Sequence, residues 1–314
     1  MIIAGIVGRQ SRLSFFLAAA AVAVGALFSV APAKAVSVSV IPSADTTLIG
    51  IAPTNNSGAQ GWVQSGRIQI NYVNRALFKF DLAWLPTNAI ILSAAVALEV
   101  VKVPDEPPAN STFGLHRMLR PWGEGNNVAG MFPGQGSPAN PGGATYLCAF
   151  FPTNNWSAPG ALEGVDFSSL ESSFQSIAGM GTYHFAFTPE LADDVQFWVI
   201  NPDLNFGWLL KSNSEETIFT ARRFASREDP NSPPQLEIEY VVPPRISSAQ
   251  RAGSQFQLDF TPWVGEGYAV QYRDSLISGS WQTLTNLGIA TNAAPLTVFD
   301  TAGLPQRFYR VVGY

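Results

Sequence analysis

The sequence is poor in the side chains on which many enzymes and metalloproteins depend. It has one cysteine, Cys148, and two histidines, His116 and His184. A single cysteine excludes an internal disulfide framework, so folding must rest on a hydrophobic core. The sequence contains no H-E-x-x-H pattern, no Cys/His zinc spacing and no G-x-S-x-G segment. These absences disfavour zinc enzymes and α/β-hydrolases, although a Ser-His-Asp triad built from distant residues stays open.

Two of these three scarce residues, His184 and Cys148, are expected to be structural. His184 alternates with Phe185 in TYHFAF, which favours a hydrogen-bonded structural histidine over a catalytic base. His116 precedes Arg117 and carries no comparable signal. Cys148 stands in the apolar run YLCAFF and is predicted to be a buried small hydrophobe.

Charge is also scarce, at 13% of the residues, and its balance is acidic. Residues 1–35 are predicted to be a signal peptide, because two arginines precede a long apolar run and Ala33-Lys34-Ala35 supplies a small-x-small cleavage site. A transmembrane anchor is the alternative interpretation of that run. Cleavage after Ala35 removes three of the 18 basic residues and none of the 23 acidic ones, which leaves a formal net charge of −8. We therefore expect a secreted protein that binds neither nucleic acid nor, once cleaved, a membrane.

Long amphipathic helices are nearly absent, and short alternating segments dominate instead. Separated by many of the 27 glycines and 23 prolines, they predict an all-β fold, a jelly-roll-like β-sandwich with one short helix. The helix is predicted at 189–202, where Leu191, Val195 and Trp198 have helical spacing behind Pro189. The predicted strands are VSVSVIPS (36–43), RALFKFDL (75–82), AAVALEVVKV (94–103), TYHFAF (182–187), NFGWLLKS (205–212) and QLEIEYVV (235–242).

Two stretches rich in turn-forming residues mark the organisation of the chain. Residues 123–160 predict a long, ordered surface insertion, with one buried strand at 144–150. Consecutive prolines at 243 and 244 predict a linker at 243–245, since they cannot extend a strand ladder. We therefore expect a first domain at 36–242 and a second, smaller β-domain at 246–314.

Two strand-like segments carry candidate charged residues. In RALFKFDL, alternation places Phe78 and Phe80 in the core and leaves Arg75 and Lys79 outside together. A basic stripe for a glycan and a set of surface ion pairs are the two interpretations of this pattern.

The segment ARRFASREDPNSPPQLEIEY (221–240) raises the same question. Arg227 and Glu228 are expected to pin the turn before the last strand of the sandwich. Arg222 and Arg223 are candidate ligands for a carboxylate, because a guanidinium group can bind one bidentately. An architectural role is the alternative, since structural ion pairs produce the same pattern.

The tryptophans divide by their surroundings in the sequence. Trp62, Trp122 and Trp156 stand in loop-like, polar segments and are candidates for stacking on sugar rings. Partial burial is the ordinary alternative for such residues. Four others stand in apolar or strand-like segments and are predicted to be core: Trp198, Trp208, Trp263 and Trp281.

Carboxylates leave two further chemistries open. A pair of them could hydrolyse a glycoside, but the separation that decides this mechanism cannot be read from the sequence. Asp45 and Asp81 offer oxygen ligands to a structural Ca²⁺, although no loop carries several acids at ligand spacing. No metal or other cofactor is therefore assigned.

Several segments, taken in order, resemble the DNRLRE domain, which is classed as carbohydrate-binding module family 96. The resemblance covers about residues 36–240 and implies a secreted β-sandwich module that stands alone or is joined to polysaccharide-degrading enzymes. At least some members look to be alginate binders. The matching segments are SADTTL (43–48), NRALFKFDL (74–82), LPTNAIILSAAVALEV (85–100), RPWGEG (120–125), NFGWLLKS (205–212) and ARRFASREDPNSPPQLEIEY (221–240).

The C-terminal segments YAVQYRDSLISGSWQTL and QRFYRV resemble small fibronectin type III-like modules of large secreted bacterial proteins. This second resemblance covers about residues 246–314. It implies a scaffold or adhesion role rather than chemistry.

Together these observations predict a secreted, non-catalytic protein that binds an anionic polysaccharide, such as alginate or another polyuronate. A local basic patch is required, because the acidic surface as a whole repels a polyanion. The alternatives are a structural or adhesive protein that makes only protein contacts, and a polysaccharide lyase or hydrolase. Tyr183 and His184 offer base-like side chains for a lyase, but no spacing fixes their role. The predicted carbohydrate-binding residues are Arg75, Lys79, Arg222, Arg223, Trp62 and Trp122.

Overall fold

A computed structural model describes residues 35–105, 109–301 and 306–314. The predicted signal peptide lies outside these ranges except for Ala35. The structure is 48% strand and 5% helix, and its antiparallel sheets curl into a sandwich, which confirms the all-β prediction.

The strands, in chain order, are β1 (Val36–Val40), β2 (Pro42–Ile49), β3 (Asn55–Asn56), β4 (Trp62–Arg67), β5 (Val73–Phe80), β6 (Ile90–Lys102), β7 (Ser111–Met118), β8 (Ser137–Pro138), β9 (Cys148–Phe150), β10 (Asn154–Asn155), β11 (Phe167–Ile177), β12 (Gly181–Phe185), β13 (Trp208–Ser212), β14 (Arg222–Ala225), β15 (Gln235–Val241), β16 (Arg245–Ala252), β17 (Gln255–Thr261), β18 (Gly267–Arg273), β19 (Gln282–Ile289), β20 (Leu296–Thr301) and β21 (Phe308–Gly313).

Eleven of these strands form one continuous antiparallel sheet that folds into two layers. In the first layer, β12 lies along one edge of β6, and β14 followed by β15 lies along the other. Beyond them, β4 pairs with β14 and β1 pairs with β15. The second layer has the order β2, β5, β13, β7, β11.

Strand β4 belongs to both layers. Its first part pairs with β14, whereas Gly66 and Arg67 pair with β5. Gly66 has a φ of 104°, and a Cβ there would lie 2.7 Å from the carbonyl oxygen of Thr220. The strand can therefore cross between the layers only because this position has no side chain.

The main core lies between the layers and contains the apolar faces that alternation predicts. Phe78 and Phe80 of β5 are at most 1% exposed, as are Val96 of β6 and Leu236 of β15. These side chains belong to one contiguous cluster. Its burial is the main source of stability, at roughly 1.5–3 kcal/mol for each large side chain.

A single α-helix, α1 (Pro189–Ile200), occurs among the described residues and closes one side of this core. It begins at Thr188, whose Oγ1 accepts a hydrogen bond from the amide of Leu191 at 3.2 Å. Trp198 packs edge-on against Trp208 of β13, with 4.4 Å between ring centroids. Both tryptophans are fully buried, so their predicted core positions and the predicted helix are confirmed.

The long segment between β7 and β11 covers the outer face of the second layer. Its side chains Trp122, Ala149 and Trp156 pack with Leu77 of β5 and Leu209 of β13 in a second core. The predicted strand at 144–150 is shortened to β9, which pairs with β10. Residues 123–160 are thus a packed cover whose apolar side chains replace solvent over the sheet.

The C-terminal segment forms two three-stranded antiparallel sheets, β16-β17-β20 and β19-β18-β21. They enclose a separate core that contains Leu258, Phe260 and Val270. The prediction of core positions for Trp263 and Trp281 is wrong, because both stand in connecting turns. Trp263 is 36% exposed, and half-buried Trp281 is flanked by the guanidinium groups of two arginines.

The described residues contain no helix with the length and apolar character needed to span a membrane.

Candidate functional site

The basic residues predicted to bind a glycan lie on two opposite surfaces of the sandwich. Arg75 and Lys79 of β5 stand on the outer face of the second layer, whereas Arg223 of β14 stands on the outer face of the first. A polymer on one face cannot contact both sets. The two faces are therefore separate candidates.

Arg75 is a structural residue in this fold, which corrects the expectation of an outward-facing ligand. Its Nε and Nη2 each donate to the Glu215 carboxylate at 2.8 Å, and Nη1 donates to the carbonyl oxygens of Gly160 and Ala161. Burial lowers the pKa of Arg75, but the hydrogen bonds and charge of Glu215 raise it overall. Arg75 thus fastens the cover segment to β5. Lys79 is half-buried on the same face.

Arg222 is fully buried, so its assignment as a ligand residue is also corrected. It lies on the inward face of β14, and its Nη1 and Nη2 donate to backbone carbonyl oxygens at 2.9–3.2 Å. These bonds satisfy Nη1 and Nη2, whereas the buried Nε has no hydrogen-bond partner among the described residues. Arg222 therefore joins three chain segments at one end of the sandwich. The acceptors are Ala109, Ile177, Ala178, Phe219, Thr220 and Ala221.

Two of the three candidate stacking tryptophans are buried. Trp122 is 9% exposed and its Nε1 donates to the carbonyl oxygen of Phe206 at 2.8 Å. Trp156 is 5% exposed and donates to Thr145 in the same way at 2.9 Å. Both belong to the second core, so their polar sequence surroundings reflect the cover segment and not a ligand site.

The remaining candidates, Trp62 and Arg223, meet on the outer face of the first layer. Three neighbouring strands place Gln64 of β4, Arg223 of β14 and Lys102 of β6 side by side in register. Neighbouring strands are about 4.8 Å apart, so this row crosses about 10 Å of the surface. From β4 through β14 to β6, the row presents an amide, a guanidinium and an ammonium group.

Lys102 joins this row because of a β-bulge. Phe224 pairs with Val100, but the next residue of β14, Arg223, pairs with Lys102, so one residue of β6 is left over between them. Val100 faces the core. Strict alternation would turn Lys102 the same way, and the extra residue turns it outward instead.

Trp62 flanks the row and contacts Arg223 directly. The guanidinium carbon of Arg223 lies 3.9 Å from the centroid of the Trp62 ring, a cation–π contact. Nη2 of Arg223 also donates to the carbonyl oxygen of Pro133 in the cover segment at 3.4 Å. Burial lowers the pKa of Arg223, while the charge of Asp105 acts in the opposite direction. The guanidinium is thus held in place by an aromatic ring and a carbonyl group.

A groove of about 250 Å³ runs beside this row. Lys102 is half-exposed in it, and its Nζ lies 3.8 Å from the carboxylate of fully exposed Asp105. Such an exposed pair is weak and is easily exchanged for another carboxylate. The remaining walls combine amide and apolar side chains. They are Gln64, Ile68, Gln69, Ile70, Val103, Pro104 and Ala221.

A second charged cluster connects three distant segments next to β14. The guanidinium of Arg227 binds the Glu124 carboxylate at 2.6 and 3.0 Å and the Glu228 carboxylate at 2.9 Å. Asp45 accepts from the amide of Arg227, and its own amide donates to Glu124 at 2.9 Å. Arg227 and Glu228 therefore have the turn-pinning contacts expected from the sequence. Burial raises the pKa of Asp45, and the charges of Glu228 and Glu124 add to that rise.

The scarce histidines and the cysteine occupy different environments. Cys148 is buried and free, as predicted. His184 is exposed on β12, which differs from the expectation of a structural side chain. His116 is buried on β7, and its Nδ1 donates to the carbonyl oxygen of Ser168 at 2.9 Å. Within the described ranges, no three His, Cys, Asp or Glu side chains are grouped to hold a metal ion, so Asp45 and Asp81 are not part of such a group.

Comparison of the chain with protein-family models and with curated proteins finds no match.

The sequence analysis named Trp62 and Arg223 as candidate ligand residues, and it did not name Gln64 or Lys102. Alternation along β4 does place Gln64 on the face of Trp62, two residues away. For Lys102 the alternation predicts the inward face, because it does not account for the bulge in β6. A bulge leaves no clear signal in a single sequence.

Proposed function

We propose that this protein is a secreted, non-catalytic carbohydrate-binding protein that holds an anionic polysaccharide, such as alginate, in the groove on the first layer. The observation that carries the proposal is the row Gln64–Arg223–Lys102 with Trp62 beside it. Guanidinium and ammonium groups bind carboxylates, amides bind hydroxyl groups, and indole rings pack on sugar rings. The four side chains supply the functional groups needed to bind a uronate residue.

The charge distribution supports an anionic ligand. Without residues 1–35 the chain has a net charge of −8, so a polyanion is repelled from most of its surface. In the groove, the cations of Arg223 and Lys102 face one exposed carboxylate, that of Asp105. Attraction between exposed charges is screened over about 8 Å at physiological ionic strength, so binding is expected to weaken with salt.

Affinity electrophoresis of the protein in gels containing alginate tests the proposal. Replacing both Arg223 and Lys102 with glutamine is expected to abolish most of the retardation, because each charge-assisted hydrogen bond is worth about 1.5–3 kcal/mol. Lys79→Gln is the matched control, since it removes a positive charge from the opposite layer. It is expected to leave retardation unchanged.

The two tryptophans provide a second comparison. Trp62→Ala is expected to weaken alginate binding at both low and high salt, because packing against a sugar ring is not screened. Trp122→Phe is expected to leave binding unchanged, since Trp122 packs in the second core. Circular dichroism and thermal unfolding check that each variant is folded.

Three results would contradict the proposal. Retardation by neutral glucans alone would exclude an anionic ligand. Binding that is lost in Lys79→Gln and kept in the groove variants would place the site on the second layer. Depolymerisation of the alginate by the purified protein would identify a lyase or hydrolase instead. The secretion part has its own test, since the exported protein is expected to begin at Val36.

A further inference from the structure

A notch interrupts the outer face of the second layer at Gly114. Lys211 of β13, Gly114 of β7 and Phe174 of β11 lie opposite one another in register, so the middle member of this row has no side chain. A Cβ at Gly114 would lie 2.4 Å from Oε1 of Glu171 and 3.0 Å from Nε2 of His116. The absence of a side chain is therefore what allows these two polar groups to approach the floor of the notch.

His116 presents an unused acceptor to this notch. Its Nδ1 lies 2.9 Å from the carbonyl oxygen of Ser168, which can only accept, so Nδ1 carries the proton. In the neutral ring Nε2 is then a lone-pair acceptor. It is buried, has no hydrogen-bond partner among the described residues, and lies 3.8 Å from Oε1 of Glu171. Two acceptors thus converge without a donor between them.

An imidazolium at His116 is the alternative arrangement, because it would pair with Glu171. Burial lowers the pKa of His116, and the charge of Lys211 lowers it further. The hydrogen bond to Ser168 and the charges of Glu171 and Glu163 raise it, but the pKa is lowered overall. The neutral ring is therefore favoured at neutral pH. Glu190 of α1 is the other ionisable group that lines the same pocket.

Two donor groups of the protein near the notch already have carboxylate acceptors. Nδ2 of Asn213 donates to Oε1 of Glu171 at 2.7 Å, and Nζ of Lys211 donates to Glu163 at 2.9 Å. The pocket around them has a volume of about 520 Å³ and contains three carboxylates against one ammonium group. An occupant must therefore bring hydrogen-bond donors and is favoured by positive charge. Phe174 is 61% exposed and offers an apolar face at the edge of the notch.

We propose that this notch binds a primary ammonium group of an amino sugar, which donates to His116 Nε2 and to the Glu171 carboxylate while the sugar ring rests on Phe174. An ammonium group has three N–H donors and can satisfy both acceptors at once, whereas a hydroxyl group has one. The site is separate from the polyanion groove, which lies on the other layer. It does not depend on the function proposed for that groove.

Calorimetric titration of the protein with a glucosamine tetramer tests this site, with the N-acetylglucosamine and glucose tetramers as probes without a positive charge. Only the glucosamine tetramer is expected to bind. Glu171→Gln keeps the shape of the side chain and is expected to weaken binding at least about tenfold, since one charge-assisted hydrogen bond is lost. Glu216→Gln is the matched control, because it removes the same charge from a side chain that is 97% exposed elsewhere. It is expected to change the affinity less than about twofold.

Nitrogen NMR of the imidazole rings gives a second, independent measurement. The chain has two histidines, so spectra of the wild type and of His184→Gln assign His116 without ambiguity. At neutral pH the free protein is expected to show an unprotonated Nε2, and its signal is expected to shift when the glucosamine tetramer binds. Acidification that protonates His116 is expected to weaken binding, because Nε2 then repels the ammonium group.

The proposal is overturned by any of four results. In the calorimetric titration these are no binding of the glucosamine tetramer, equal affinity for the N-acetylglucosamine or glucose tetramer, and unchanged affinity in Glu171→Gln. In the NMR spectrum it is a His116 Nε2 that already carries a proton at neutral pH. Loss of alginate binding in the groove variants has no bearing on these outcomes. The two sites are thus tested separately.

Discussion

The backbone amide of Arg227 donates a 2.7 Å hydrogen bond to the carboxylate of Asp45, which lies 182 positions earlier in the chain. Glu124 completes the connection, because it accepts from both the Asp45 amide and the Arg227 guanidinium. Three segments that are far apart in the chain, SADTTL, RPWGEG and ARRFASRED, therefore meet at one place. Their charged residues have an architectural use here that requires no ligand.

Asp45→Asn is expected to change how stability depends on pH. Burial holds the pKa of folded Asp45 above its ordinary value of about 3.9, so between these two values the folded state binds more protons than the unfolded state. The free energy of unfolding of the wild type therefore decreases as the pH rises from about 3.9 to the raised pKa. Above the raised pKa it decreases no further. Asparagine is neutral and escapes this loss.

Urea titrations of wild type and Asp45→Asn at a series of pH values between 4 and 8 measure this difference. The variant is expected to gain stability relative to the wild type as the pH rises. Asp81→Asn, which changes an exposed carboxylate, is measured alongside as the control. A difference between Asp45→Asn and the wild type that stays constant with pH would show that the folded protein does not hold this proton.

Arg75→Gln is expected to destabilise the protein by about 2–4 kcal/mol. The substitution leaves Glu215 without its bidentate partner, and the pair is only 15% and 16% exposed. Breaking a buried pair costs about 3–5 kcal/mol, and partial exposure reduces that cost. Chemical denaturation measures it, with Lys79→Gln on the same strand expected to cost less than about 0.5 kcal/mol. A double variant with Glu215→Gln is expected to recover part of the loss, and a strictly additive result would contradict the coupling.

Limited proteolysis is expected to cleave first between Val241 and Arg245. Strand β15 ends and β16 begins at these residues, and the cores on the two sides share no residue. The N-terminal fragment is expected to unfold cooperatively with a transition close to that of the intact protein. A fragment that loses its structure on cleavage would show that the two parts form one folding unit.

The elements of the fold are largely readable from short-range sequence patterns. Alternation correctly places Phe78 and Phe80 in the core, and helical spacing correctly places α1, because both depend on neighbours a few residues apart. The same alternation correctly turns Arg223 outward. It equally turns Arg75 outward, yet that side chain is buried by residues that follow it by 85 and 140 positions.

The candidate sites depend on relationships that a single sequence does not contain. The groove requires the register between β4, β14 and β6 and a bulge, both of which are set by tertiary packing. The notch requires Gly114 to lie between Lys211 and Phe174 of two other strands. A glycine in an alternating segment signals a close approach, but it does not name the groups that approach.

Strand β1 pairs with β15, so the first and the last strands of the sandwich are neighbours. Val36 lies opposite Tyr240, and closing that ladder encloses about two hundred residues between them. During synthesis the sandwich cannot be completed until Val241 has left the ribosome, and β1 has no partner strand before then. Loop closure over this distance reduces the conformational entropy of the chain before the contacts between β1 and β15 can stabilise the pairing. We therefore expect formation of this edge to be a late and slow step in folding.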